Sequence, residues 1–175
     1  MDVEEIKSVF ASWNQKRLGA AGIRFAESSN APLGSGDDYR VVYEAVFEPD
    51  DLDKIRIEIW LTDTGHTAVW LEKCSRVSKR LAKKFSRGGA VAGHEPIAMS
   101  SETLNLLFGV AVGGKLLIAV RSIFHVGLTM TPFLPTADYE AIRASGYSYL
   151  RGPQSAQSGV FSSILPLTVL DYRPW

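Results

Sequence analysis

Two neighbouring stretches with a strict period of two constrain this chain more than any other part of it. Val41, Tyr43, Ala45 and Phe47 alternate with Val42, Glu44 and Val46 until Pro49-Asp50-Asp51 breaks the run. Ile55, Ile57, Ile59 and Leu61 then alternate with Arg56, Glu58 and Trp60. Successive side chains of a strand point to opposite faces, so each stretch predicts a strand with one apolar face turned inward. A return strand follows from Thr67 to Glu72. With Asp63-Thr64-Gly65 as the hairpin loop and Gly65 left-handed, Ile59 faces Val69, Ile57 faces Leu71 and Arg56 faces Glu72. The same register brings Trp60 and Trp70 diagonally together on the second face, which is therefore not simply solvated.

Around this hairpin the period changes. Val3, Ile6, Phe10 and Trp13 recur at helical spacing and predict a helix over 2–18, stopped by Gly19. Ala21 to Ala26 reads as a short first strand and Ser28 to Gly36 as a surface loop. Cys74, Val77, Leu81 and Phe85 form a helical stripe that ends at Gly88-Gly89. Ala90 to Ser100 reads as a loop with a short strand, and Ser100 or Ser101 caps a short helix through Leu107. Gly109–Val112 and Lys115–Phe124 are expected to pair about a tight Gly113-Gly114 turn. A strand through Val126–Thr131 follows, then a helix from Ala137 to Ala144 capped by Thr136 and stopped at Gly146. Tyr149 to Gly159 reads as a loop, and a final strand covers Val160–Tyr172 with a bend at Pro166.

This order predicts an α+β fold, mainly an antiparallel sheet with about three to four helices mostly on one face. The length of 175 residues suits one domain with its own core. Lys54–Phe85 and Lys115–Tyr147 both read as strands followed by a helix, a weak hint of internal duplication.

Charge is distributed unevenly. Between Lys73 and Arg87 lie seven of the 19 basic residues and no acid, including Arg76, Lys79, Arg80, Lys83, Lys84 and Arg87. Residues 37–63 carry nine acids against three bases, so the formal net charge of zero hides two opposite poles. Such segregation points to electrostatic association with a partner. Bases in the last turns of a helix also complement its dipole, which is a structural reason for some of them.

Motifs for chemistry are sparse. Gly109 to Lys115 imitates the start of a phosphate-binding loop, but Leu116 stands where Ser or Thr must meet magnesium, and strands are expected on both flanks. His66, His94 and His125 are far apart and none belongs to a close ligand pair, so no metal or other cofactor is expected. His66 reads as a turn residue and His125 as a core histidine. His94-Glu95, after a glycine-rich stretch, is the pair hardest to dismiss as mere loop. Cys74 lies on the apolar stripe and reads as a small core residue, although a helix start beside Lys73 and Arg76 would lower its pKa. No residue is assigned a catalytic role.

A lone cysteine excludes an internal disulfide, and the acidic Asp2-Val3-Glu4-Glu5 start does not resemble a secretion signal. Both point to the cytoplasm. Leu104 to Val120 carries only Lys115 as charge, but the Gly-Gly-Lys interruption favours a buried hairpin over a membrane span.

The expectation is a non-enzymatic protein-binding protein of chaperone, inhibitor, immunity or adaptor type, engaging another protein or a second copy of itself. Arg76, Lys79, Arg80, Lys83, Lys84, Arg87, Trp60 and Trp70 are the candidate contact residues. One alternative is a nucleic-acid module built on the basic helix 74–87, which the neutral whole and its acidic segment disfavour. Another is a small enzyme with a cleft near His94 and Glu95. The C-terminal Trp175 is either tucked down or offered to a partner.

Overall fold

The computed structural model describes residues 1–13, 18–29, 40–51, 54–72, 90–92, 97–123, 126–154 and 167–175. Helix α1 spans Val3–Trp13 and buries Ile6, Val9 and Phe10. Its start is set by a reciprocal capping box. The Glu5 amide donates to Asp2 Oδ1 at 2.9 Å, and the Asp2 amide donates to Glu5 Oε2 at 2.8 Å. The expected continuation to residue 18 crosses positions outside the described residues. A helical turn, α2 (Gly19–Ala21), ends at Gly22, which at φ 65° takes the left-handed role expected of Gly19.

Five strands follow in one sheet: β1 (Ile23–Ser29), β2 (Val41–Pro49), β3 (Arg56–Thr62), β4 (Thr67–Glu72) and β5 (Ala90–Ala92). They lie side by side in chain order and every pairing is antiparallel. The β3–β4 register is the one the sequence predicts, with Ile59 opposite Val69, Ile57 opposite Leu71 and Arg56 opposite Glu72. Gly65 has φ 77° and donates to the Thr62 carbonyl at 3.0 Å, closing the turn. Along β2, odd-numbered residues are buried and even-numbered ones half-buried without exception.

The second half differs from its sequence reading at one important place. Leu104 to Val112 is not a short helix followed by a strand but one continuous helix, α3 (Ser101–Val112). Ser100 caps it, its hydroxyl accepting from the Thr103 amide at 3.1 Å. The exposed Glu102 and Asn105 mark only the first turns, whereas Leu106 to Val112 carries no polar side chain to show its period, and the β-branched Val110 and Val112 biased the reading towards strand. Gly113-Gly114 is therefore a helix stop and not a hairpin turn. The Lys115 amide reaches the Val110 carbonyl at 2.9 Å and the Gly114 amide reaches that of Ala111 at 3.1 Å, with Gly114 left-handed at φ 63°. This double bond pattern satisfies the last carbonyls of α3.

Strands β6 (Leu117–Ile123), β7 (Val126–Phe133) and β8 (Leu167–Leu170) form a second antiparallel sheet with β6 in the middle. Helix α4 (Thr136–Ala144) begins with Thr136 as its first residue; Pro135 occupies the cap without a side-chain bond. The unit β6–β7–α4 has the strand–strand–helix order expected of Lys115–Tyr147, while residues 74–87, where the sequence predicts the helix of the first unit, lie outside the described residues. The fold is α+β, with antiparallel sheets and, among the described residues, four helices.

One apolar cluster runs from Ile6 to Tyr172 and takes residues from α1, β1 to β4, α3 and α4. Its aromatic centre is Phe47, whose ring lies 5.1 Å from Phe10, 4.8 Å from Phe25 and 4.7 Å from Phe108.

The glycines at the ends of α3 and α4 make a controlled comparison. A Cβ at Gly114 would stand 2.5 Å from the Tyr172 carbonyl oxygen, whereas at Gly146, also left-handed, nothing lies within 4 Å. Gly146→Ala should cost the backbone strain alone, about 1–2 kcal/mol. Gly114→Ala should cost clearly more, measured by urea denaturation of both variants.

Candidate functional site

The alternation that fills the core also dictates what the opposite face of the first sheet carries. On that face β2 presents Val42, Glu44, Val46 and Glu48, β3 presents Arg56, Glu58 and Trp60, and β4 presents Ala68 and Trp70. Register sets them in rows: Val46, Glu58 and Trp70 in one, Glu44, Trp60 and Ala68 in the next. The two tryptophan rings meet with centroids 5.7 Å apart and planes tilted by 57°. Both side chains are half-buried. The Trp70 indole nitrogen is buried and has no hydrogen-bond partner among the described residues.

Beside the rings runs a chain of charge-assisted hydrogen bonds. Arg56 Nε donates to Glu48 Oε2 at 2.6 Å, Arg56 Nη1 to Glu58 Oε2 at 2.7 Å, and Trp60 Nε1 to Glu58 Oε1 at 2.7 Å. Both oxygens of Glu58 are thus occupied, and only 14% of its side chain is exposed. Partly desolvated pairs of this kind add little net stability, but they fix side-chain geometry. Their effect is to hold the Trp60 indole in one orientation. One strand further out, Arg24 pairs with Asp50 at 3.1 Å and Ser28 Oγ donates to Glu44 Oε2 at 3.1 Å.

Of the candidate contact residues, Trp60 and Trp70 are brought together as expected. Arg76, Lys79, Arg80, Lys83, Lys84 and Arg87 lie outside the described residues, as do Cys74, His94, Glu95 and His125. His66 is an exposed turn residue whose amide donates to Thr62 Oγ1 at 3.2 Å. Lys115 pairs with Asp138 at 2.5 Å, so the lysine of the imitation phosphate loop meets a carboxylate. Among the described residues no group of three or more His, Cys, Asp or Glu could hold a metal ion, and no helix is long and apolar enough to cross a membrane.

Trp175 is tucked down. Its indole N–H donates to the Ile55 carbonyl at 3.0 Å and its amide to that of Val112 at 2.9 Å. Its ring packs 5.8 Å from Phe47 and 5.6 Å from Phe108.

Two concavities are formed by the described residues. A cleft of about 320 Å³ lies between Ile97–Ser100, Thr103 and Ser145–Tyr147. Its hydroxyls are bonded to one another: Thr103 Oγ1 lies 2.9 Å from Ser100 Oγ and 3.0 Å from Ser145 Oγ. A smaller groove of about 220 Å³ runs between α1 and the β1–β2 edge, lined by Lys7, Phe10, Ala11, Phe25, Glu27 and Tyr43. There the Tyr43 hydroxyl donates to Glu27 Oε2 at 2.7 Å. Sequence reading missed the Glu48–Arg56–Glu58 chain and the Tyr43–Glu27 bond. The former was within reach, because β2–β3 pairing places Glu48 beside Arg56.

Two expectations follow. Removing the half-buried ring in Trp175→Ala should destabilise the protein by about 2–3 kcal/mol, somewhat below the loss for a fully enclosed aromatic. Burial and the Glu27 bond hold the Tyr43 phenol well above its ordinary value of 10.0, and burial does the same for Tyr147. The folded state then keeps protons that the unfolded chain releases, so stability is intact below pH about 10 and falls above it. Denaturant midpoints across that range should show the fall, and Tyr43→Phe should make it shallower. Comparison of this chain with family models, curated proteins and solved structures gives no match.

Proposed function

We propose that this protein is a non-enzymatic, cytoplasmic binding protein whose tryptophan-bearing sheet face engages a protein partner, as a chaperone, inhibitor, immunity factor or assembly adaptor would. The observation that carries this reading is the Trp60–Trp70 pair bordered by the Glu48–Arg56–Glu58 chain. Tryptophan and arginine are over-represented among residues that dominate binding energy, and they act best when held rigid before the partner arrives. Here strand register fixes the rings and hydrogen bonds fix their charged border. The acids of this face add the electrostatic selectivity that charge segregation suggests. The basic cluster Arg76, Lys79, Arg80, Lys83, Lys84 and Arg87 joins the proposal on sequence grounds, as a second contact region for the same partner or for another copy of the chain.

A small enzyme using His94 and Glu95 is the second reading, and one observation favours it. The larger cleft begins at Ile97, two positions beyond Glu95. Its hydroxyls are committed to each other and none is paired with a base among the described residues, so the binding reading ranks first.

The test is capture from native extract on immobilised protein at low and high salt, with bound protein and nucleic acid identified. A stoichiometric protein is expected, released by salt and held about thirtyfold more weakly by Trp60→Ala, the loss typical of a dominant interface residue. Equal capture by wild type and a folded Trp60→Ala variant would contradict the proposal. Recovery of nucleic acid instead would shift function to the basic cluster.

A further inference from the structure

We propose that the outer edge of β1 and the groove beside α1 together dock an extended segment of a partner protein. The segment adds to the first sheet as an antiparallel strand, with a base opposite Glu27 and an apolar residue opposite Phe25. The site lies apart from the tryptophan face and does not rest on the function proposed for it.

Register determines which main-chain groups of β1 are left for a partner. β1 is an edge of the five-stranded sheet, with β2 on its inner side. The Asp50 amide donates to the Gly22 carbonyl at 2.9 Å, which makes these two a hydrogen-bonded pair. Along an antiparallel ladder such pairs alternate with pairs that exchange no bonds. Arg24, Ala26 and Ser28 therefore turn their N–H and C=O groups to β2, and Ile23, Phe25, Glu27 and Ser29 turn theirs outward. Pro49, which has no N–H to give, stands opposite Ile23, where none is required. Among the described residues nothing is bonded to the outward groups. Ala26 to Ser29 are exposed, so this edge is open to solvent.

The side chains of the outward set share the face that α1 covers. A residue paired with Phe25 or Glu27 projects from that same face, towards the groove of about 220 Å³. The accessible wall of the groove is Lys7, Ala11, Phe25 and Glu27, while Phe10 and Tyr43 are buried beneath it as core. Its volume is below the roughly 300 Å³ at which drug-sized pockets begin, and suits one or two side chains. Main-chain bonds along an edge supply affinity, and a groove for alternate side chains supplies selectivity.

Glu27 decides which kind of strand fits. Its Oε2 accepts from the Tyr43 hydroxyl at 2.7 Å, and among the described residues no base pairs with it. An inward-pointing charge on an edge strand works against indiscriminate pairing. A second copy of β1 cannot neutralise it: in every antiparallel register that matches outward groups, Glu27 meets Ile23, Phe25, Ser29 or its own counterpart, and never a base. A partner strand with Lys or Arg at this position does neutralise it, and Leu or Val two residues further on covers Phe25 and Ala11.

The probe is the capped heptapeptide Ser-Thr-Lys-Thr-Leu-Thr-Val, whose lysine and leucine fall opposite Glu27 and Phe25 when its serine lies opposite Ser29. Titrated into the full chain with amide hydrogen exchange read by NMR, it should slow exchange at Phe25 and Glu27 by about tenfold or more. Ala26, already bonded to β2, should not change. N-methylation of the leucine nitrogen, which faces β1, should abolish binding, whereas N-methylation of the central threonine, which faces solvent, should leave it intact. Glu27→Lys should weaken the lysine peptide about fivefold, and glutamate in place of the peptide lysine should restore the loss. Equal binding of the two methylated peptides, or no binding of the heptapeptide at millimolar concentration, would overturn the proposal. Protection of Phe25 and Glu27 without peptide, in a concentration-dependent dimer, would overturn it too and give the edge to a second copy.

Discussion

The first sheet, α1, α3 and the C-terminus meet at the ring of Phe47. It is fully buried, and residues from four separate parts of the chain close on it: Phe10 from α1, Phe25 from β1, Phe108 from α3 and Trp175 from the C-terminus. A fully buried phenylalanine is worth about 3–5 kcal/mol, against a total stability of about 5–15 kcal/mol for an ordinary domain. No other single ring joins so many elements among the described residues. The C-terminal tail belongs to this arrangement as a structural part, held by its backbone against the end of α3, where only a glycine fits beneath it.

Because Phe47 points inward, its neighbours Val46 and Glu48 point outward, and so does every second residue of β2 and β3. The face carrying Trp60 and Trp70 is thus a geometric consequence of the core. What is not forced by geometry is the choice of residues there. A merely solvated face would be served by short polar side chains, whereas this one carries two indoles and a hydrogen-bonded run of Glu48, Arg56 and Glu58. The groove beside α1 has the same origin. Tyr43 is an inward residue near the end of β2, so its ring is buried while its hydroxyl reaches the exposed Glu27 on the edge strand.

Legibility in the sequence followed a simple physical rule. Where one face is buried and the other is not, hydropathy alternates and the structure can be read: β2, β3, β4, the β3–β4 register and the left-handed Gly65 are all legible. Where a stretch carries no polar side chain the signal vanishes, which is why Leu106 to Val112, the second half of α3, reads in the sequence as the end of a short helix and a strand. Glycine alone could not resolve that ambiguity, since a left-handed Gly114 serves a hairpin and a helix stop equally well. The tucked position of Trp175 was beyond reach for another reason, since its partners Ile55 and Phe108 are remote in sequence. Of the site, the meeting of the tryptophans was legible because it needs only register. The Tyr43–Glu27 bond was not, since it depends on how Ile23–Ser29 aligns with β2.

The central claim is that one face of the first sheet is core and the other is a partner surface, and the four tryptophans report on both. Their indole N–H signals, recorded by NMR in buffer and again in native extract, test this directly. The account predicts that Trp60 and Trp70 shift or broaden in extract while Trp13 and Trp175 stay where they are. If all four respond alike, or if only Trp175 moves, the partner surface has been placed on the wrong side of the sheet.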